Sequence, residues 1–344
     1  MDFKTLLFSA LMVFTSCCKD KKPEEIIKPE VCPTDRWNVI LNSSDLYFYP
    51  LNFLNKDTGY VCALTIAEAY QQYIFRTTDG GNSWIIDTAR VSASTGISQI
   101  VPLCYDTLIG LGHSVYKSFD HGKTWTNIYP AHNDDPIWDI CMLSSSNWIL
   151  ADGTCITRTT DGGQTWQEVY AFPGMAVFDQ LSFPSSTTGY AVAGMYSDYG
   201  GYGAIVKTTD GGNSWVLLNP EPWKSNHTDL KEIAKLQFLT EEVGYMFMHG
   251  SLYKTEDGGS NWTLINRNIT AYSKDNAHFF NVDSGYVTDI IHIYFTKDGG
   301  KSWECDYAAD SVSNMIIFLQ FMQSGEGFAI TNGNINQVLK KTFH

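Results

Sequence analysis

Six octapeptides of one pattern recur along the 344-residue chain: Thr77–Trp84 (TTDGGNSW), Ser118–Trp125 (SFDHGKTW), Thr159–Trp166 (TTDGGQTW), Thr208–Trp215 (TTDGGNSW), Thr255–Trp262 (TEDGGSNW) and Thr296–Trp303 (TKDGGKSW). Their aspartates, Asp79, Asp120, Asp161, Asp210, Asp257 and Asp298, are 41, 41, 49, 47 and 41 residues apart. A period of this length marks a repeat protein, in which each copy is one supersecondary unit that buries its apolar face against its neighbours. In each copy a strand such as Ala204-Ile205-Val206-Lys207 arrives and must reverse. The aspartate can accept backbone N–H groups within the turn, the glycines permit positive φ, and the tryptophan opens the returning strand. The octapeptide is thus a hairpin and its aspartate a structural clasp.

A weaker recurrence lies upstream: an aromatic, a polar turn, then Gly-aromatic opening an apolar strand. It reads Phe53…Gly59-Tyr60, Phe183…Gly189-Tyr190, Phe238…Gly244-Tyr245, Phe280…Gly285-Tyr286 and Phe321…Gly327-Phe328. Together the two recurrences predict four strands per unit, which at this period means propeller blades. After Trp303, the segments Met315–Phe321, Gly327–Thr331 and Ile335–Thr342 supply three further strands, with Lys340-Lys341-Thr342 aligned to Val206-Lys207-Thr208. The fourth strand of that unit is at the other end of the chain, where Arg36–Leu41 (RWNVIL) resembles the Trp215–Leu218 strand. The expected fold is an all-β, seven-bladed propeller over residues 36–344, its ring closed by an N-terminal strand so that no sheet edge is left open.

Composition bounds the partners. The net charge is −14, of which residues 1–35 carry −1, so the propeller is the acidic part and nucleic acid is excluded as a partner. No apolar run approaches the ~18 residues of a transmembrane helix. Residues 1–16 read as a signal sequence, with Lys4, an apolar run from Leu6 to Phe14, and Phe14-Thr15-Ser16 before Cys17. Residues 17–35 are a polar tether. This start resembles that of bacterial lipoproteins, which implies cleavage before Cys17, lipidation of that residue, and a place in the cell envelope with membrane contact through the lipid alone. The remaining cysteines (Cys18, Cys32, Cys62, Cys104, Cys141, Cys155 and Cys305) show no metal-ligand spacing. An oxidising envelope allows one or two disulfides, whose pairing the spacing leaves open.

The octapeptides resemble the Asp-box (BNR) repeat, [ST]-x-D-x-G-x-x-W, found in sialidases, two-propeller xyloglucan endoglucanases, sortilin-type receptors and the photosystem II stability/assembly factor family. The full unit, with [RK]-T before the turn, is most similar to the last of these. That resemblance implies the propeller fold and an assembly-factor-like role in chaperoning a protein or membrane complex. The family's basic, arginine-bearing surface has no counterpart here.

Catalytic constellations are sparse. A sialidase resemblance would imply an arginine triad and an Arg-Ile-Pro segment; the chain has five arginines (Arg36, Arg76, Arg90, Arg158, Arg267) and no such segment. The endoglucanases place paired acids between two propellers. Here Asp134, Asp135, Asp229, Glu232, Asp275 and Asp310 lie in loops and are read as solvated surface acids. No catalytic residue, metal or cofactor is assigned. Three loops stand out as ligand-binding candidates at one end of the channel. They carry Tyr196, Tyr199 and Tyr202 (in 194–203), Trp223 and His227 (in 219–232), and His132, Asp134 and Asp135 (in 131–138). Tyr and Trp on such loops suit protein contacts or sugar stacking. The expected function is that of a monomeric, non-catalytic envelope lipoprotein binding a protein or glycan through one propeller face. The alternative is a carbohydrate-active protein, either a glycan-binding module or a glycoside hydrolase.

Overall fold

Seven four-stranded antiparallel sheets account for all 28 strands among the described residues. The structure, a computed structural model, describes residues 32–33, 36–66, 71–91, 96–130, 137–171, 176–195, 202–218, 233–248, 250–269, 271, 273–309, 314–322 and 325–342. Blade 1 is made of Leu46–Phe53, Gly59–Thr65, Gln72–Thr77 and Ile85–Val91, in sequence order from channel to rim. Blades 2 to 6 repeat that order over 99–130, 139–171, 176–218, 233–266 and 277–308. One turn of 3-10 helix, Lys274–Asn276, leads into blade 6. Blade 7 takes three strands from 314–342, and its outermost strand, Asn38–Ser43, comes from the N-terminal side of the chain.

Both faces of each sheet are covered, so second strands such as Trp148–Asp152 and Gly244–Met248 are buried at every residue. Among the described residues each hydrophobic cluster joins two adjacent blades, with seven clusters for seven interfaces. The cluster that closes the ring sets Phe48, Leu51 and Val61 of blade 1 against Phe328, Ile330 and Val338 of blade 7.

The two recurrences have one mechanical basis. The upstream aromatic lies on the glycine six residues later, so closely that a Cβ on Gly59, Gly189 or Gly244 would sit 2.2–2.8 Å from the ring of Phe53, Phe183 or Phe238. The aromatic after that glycine then stacks on the next blade's ring: Tyr190 on Phe238 at 3.4 Å, Tyr245 on Phe279 at 3.8 Å, Phe328 on Phe53 at 4.3 Å. Blade 6 departs from the expected spacing. Phe279, not Phe280, covers Gly285, and Phe280 is 39% exposed.

Within the octapeptide turns the carboxylate takes several bonds. Asp79 Oδ1 accepts the Thr77 hydroxyl at 2.8 Å and the Ser83 N–H at 2.8 Å, while Oδ2 accepts the Ser83 hydroxyl at 2.6 Å. Both glycines have positive φ (68° and 90° at Gly80 and Gly81); in the second turn His121 adopts this conformation, with φ 62°. The second glycine admits a side chain of the preceding blade, Ile40 at Gly81, Ile74 at Gly122 and Leu252 at Gly300. Each turn is therefore a docking point as well as a reversal.

Ring closure copies this pattern with residues from both ends. Trp37 meets Phe321 edge-on at 6.4 Å and 72°, as Trp262 meets Phe238 (6.0 Å, 76°) and Trp303 meets Phe279 (6.2 Å, 76°). The C-terminal alignment shifts by one residue. Phe328 pairs with Lys340 as Tyr190 pairs with Lys207, so Lys340 is the counterpart of Lys207. Both lysines donate to the first glycine of the next turn, Lys340 to the Gly80 carbonyl at 2.7 Å and Lys207 to that of Gly258 at 3.3 Å. Lys341 consequently occupies the buried threonine position, and its ammonium bonds the buried carboxylate of Asp306. Arg36 and the Trp37 indole N–H also bond Asp306, at 2.8 and 3.0 Å. Burial acts to raise the Asp306 pKa, but the bonds from Lys341 and Arg36 outweigh it and hold the carboxyl below its usual range. The adjacent Cys305 forms a disulfide with Cys32, with the Cα atoms 5.3 Å apart. This attaches a residue of the expected tether to blade 6.

Candidate binding site at the channel

Side chains alternate along a strand, so every second residue of an inner strand faces the channel. Three residues before the aromatic position, that face carries Gln99, Asp139, Gln180 and Lys235 in blades 2 to 5. Lys274 and Asp275, just before the inner strand of blade 6, complete a polar arc. With Leu181 and Leu236 these residues line a cavity of about 170 Å³.

Much of the arc is tied to backbone. Asp139 accepts the N–H of Ile140 and of Leu181, each at 2.9 Å. Lys274 donates to the carbonyls of Trp138 and Asp179. The Gln180 amide bridges to blade 5, donating to the Ile233 carbonyl at 3.1 Å and accepting the Leu236 N–H at 3.0 Å. One level along the channel, the Gln237 amide makes the same two-way bridge to Phe279, 2.8 Å each way, and Asn52 donates to the Ile100 carbonyl at 2.8 Å. Asp139, Gln180, Lys274, Gln237 and Asn52 thus sew blades together along the channel.

Electrostatics follow from enclosure. Burial pushes the Lys235 ammonium down, against the pull of Asp275 and Asp139, and pushes the Asp275 carboxyl up, against Lys274 and Lys235. Burial and then Lys235 push His278 down to about 4, leaving it neutral at neutral pH. Burial lifts the Cys141 thiol to about 12, so it is no nucleophile.

The loop candidates fall mostly outside the described residues: Tyr196, Tyr199, Trp223, His227, His132, Asp134 and Asp135 all do, as do Cys17 and the acids Asp229, Glu232 and Asp310. Tyr202 begins the third strand of blade 4, paired with Met195. Trp138, in the third loop, is 39% exposed, and its carbonyl receives Lys274. Asp275, read from sequence as a surface acid, instead lines the cavity. Sequence reasoning missed Gln99, Asp139, Gln180 and Lys235. Their signal was polar residues set within apolar inner strands, as Lys235 and Gln237 are in Ile233–Phe238 (IAKLQF).

No family model and no curated protein matches the chain. Among solved structures it is similar to YCF48 bound to D1 peptide, with a TM-score of 0.66 at 17% identity over 91% of this chain and 100% of that one. It is also similar to the GH74 enzyme of Niastella koreensis (TM-score 0.60, 14% identity, 85% of this chain, 51% of that one). A streptogramin B lyase gives a TM-score of 0.62 at 10% identity over 88% of this chain and 96% of that one. At such identities the likeness is one of fold, and the propeller carries binding proteins and enzymes alike.

Proposed function

We propose that this chain is a non-catalytic envelope lipoprotein that binds a protein partner, in an assembly-factor-like role, through the propeller face on which the polar arc opens. The observation that carries this reading is how the arc is bonded. Asp139 accepts two backbone N–H groups and Lys274 donates to two backbone carbonyls, so these charges are fixed as a recognition surface rather than poised as proton donor and acceptor. The fold likeness to YCF48 with its bound peptide, over that whole chain, supports it. The six octapeptide turns act as Asp boxes, clasping blades at the rim. Lipid on Cys17 holds the propeller at a membrane, and Cys17→Ala releases it; retention of that variant in the membrane fraction counts against the anchor.

The exposed Trp138 and the GH74 likeness favour a second reading, glycan binding or hydrolysis. A glycan array and an envelope pull-down, run in parallel on wild type and Trp138→Ala, separate the two. Recovery of one envelope protein by wild type alone supports the first reading. A defined glycan bound by wild type alone replaces it with the second, and binding of neither kind sinks both.

A further inference from the structure

The cavity holds charged groups that the propeller's own bonding does not use. The ammonium of Lys235 and the carboxylate of Asp275 both line it, and among the described residues neither makes a hydrogen bond or an ion pair through its side chain. The Gln99 amide lines the same space, also with no such bond. Lys274, Asp139 and Gln180 beside them are bonded to backbone. Lys235 and Asp275 are half-buried, and a partly desolvated charge without a bonded partner opposes folding. Two opposite charges held this way, facing one cavity and not paired with each other, are complementary to a molecule that bears both.

Size narrows the class. A cavity of about 170 Å³ is close to the ~150 Å³ that accommodates one benzene, and below the ~300 Å³ at which drug-sized pockets begin. The enclosed part has room for one small polar molecule. The four charged residues of the arc, Asp139, Lys235, Lys274 and Asp275, sum to zero, which suits a ligand without net charge.

We propose that the channel cavity binds a small zwitterion of the α-amino-acid class, its carboxylate on Lys235 and the Gln99 amide and its ammonium on Asp275. Asp139, whose two oxygens each accept one N–H, keeps acceptor capacity beside the same cavity. The directions in which burial moves Lys235 and Asp275 agree, since for each burial outweighs the pull of the charges around it, and a bound zwitterion adds a counter-charge to both. The cavity shares Asp139 and Lys274 with the face proposed for the partner, and a titration with no partner present reads the cavity by itself.

The test is calorimetric titration of the detergent-purified full-length protein with alanine, valine and serine, and with the singly charged propionate and propylamine. At least one amino acid binds, and the singly charged compounds bind about tenfold or more weaker. Lys235→Met and Asp275→Asn each weaken amino-acid binding about tenfold or more, while Lys56→Met on an exposed turn leaves it unchanged. Circular dichroism checks that each variant is folded. Should Lys235→Met fail to fold, Gln99→Leu and the singly charged compounds carry the same test. Absence of heat up to about 10 mM amino acid overturns the proposal, as does equal binding of propionate, or binding indifferent to the variants.

Discussion

Removing the Cys32–Cys305 disulfide, by Cys32→Ser with Cys305→Ser, tests how the ring is held shut. The two cysteines are 273 residues apart, so the bond closes a loop that contains nearly the whole propeller. In the chain-entropy account, closing a loop of about 274 residues removes entropy from the unfolded chain worth about 5.6 kcal/mol at 25 °C. That is slightly above the ~5 kcal/mol at which native disulfides top out, so a loss of about 5 kcal/mol is expected. With a urea slope of about 3 kcal/mol/M for a chain of this size, the midpoint should fall by about 1.5–2 M. Unfolding is followed by tryptophan fluorescence and by circular dichroism, with and without reductant. Reductant should lower the wild-type midpoint to that of the double serine variant and leave the variant unmoved. Coincident midpoints for wild type and variant under oxidising conditions would refute the reasoning, because the strand pairing and the Asp306 cluster would then hold the ring without a covalent tie.

Four further outcomes follow from the same geometry. Trp37→Ala empties the tryptophan position of the closing strand, where the side chain is 4% exposed, and should destabilise by about 3–5 kcal/mol; a loss below ~1 kcal/mol in urea unfolding would mean that the strand is dispensable. Gly300→Ala brings a Cβ to 2.2 Å from Leu252 at φ +87°, whereas Gly325→Ala meets nothing within 4 Å at φ +94°. The second should therefore cost the backbone strain alone, about 1–2 kcal/mol, and the first clearly more; equal losses would show that the turn does not dock on its neighbour. Hydrogen bonds from the Ser83, Thr165 and Ser214 side chains hold Asp79, Asp161 and Asp210 down to about 2, below their unfolded values. Their contribution is full above pH ~4 and is lost as pH falls towards 2, so calorimetric melting temperatures should drop steeply across that window, and a flat profile would sink the clasp. His278, pushed down to about 4, gives stability that rises with pH between about 4 and 6.5; His278→Gln should flatten that slope, and an unchanged slope would place its origin elsewhere.

Blade number, ring closure by Arg36–Leu41, and the reversal at each octapeptide were legible in the sequence, because each rests on local chemistry that recurs. Glycine is favoured where φ is positive, His121 being the exception, and is needed where an aromatic ring lies on the backbone, and six or five copies make such positions plain. The one-residue offsets at Phe279 and Lys340 were not legible. Each sits beside a residue of the same kind, Phe280 or Lys341, and only strand pairing says which of the two faces the neighbouring blade. The loop residues Tyr196, Trp223 and His132 drew notice by composition, whereas Lys235 and Asp139 stood within strands that otherwise read as core.

The sequence by itself determined a ring of seven four-stranded units, since the repeat fixes both the unit and the need for neighbours to cover it. Tertiary structure alone decided which polar residues meet. Gln99, Asp139, Gln180, Lys235 and Asp275 are spread over some 180 residues, and Cys32 and Cys305 over 273. A closed ring brings such positions together because every inner strand runs along one common axis, and no spacing within a single repeat records where on that axis, or opposite what, a side chain comes to lie.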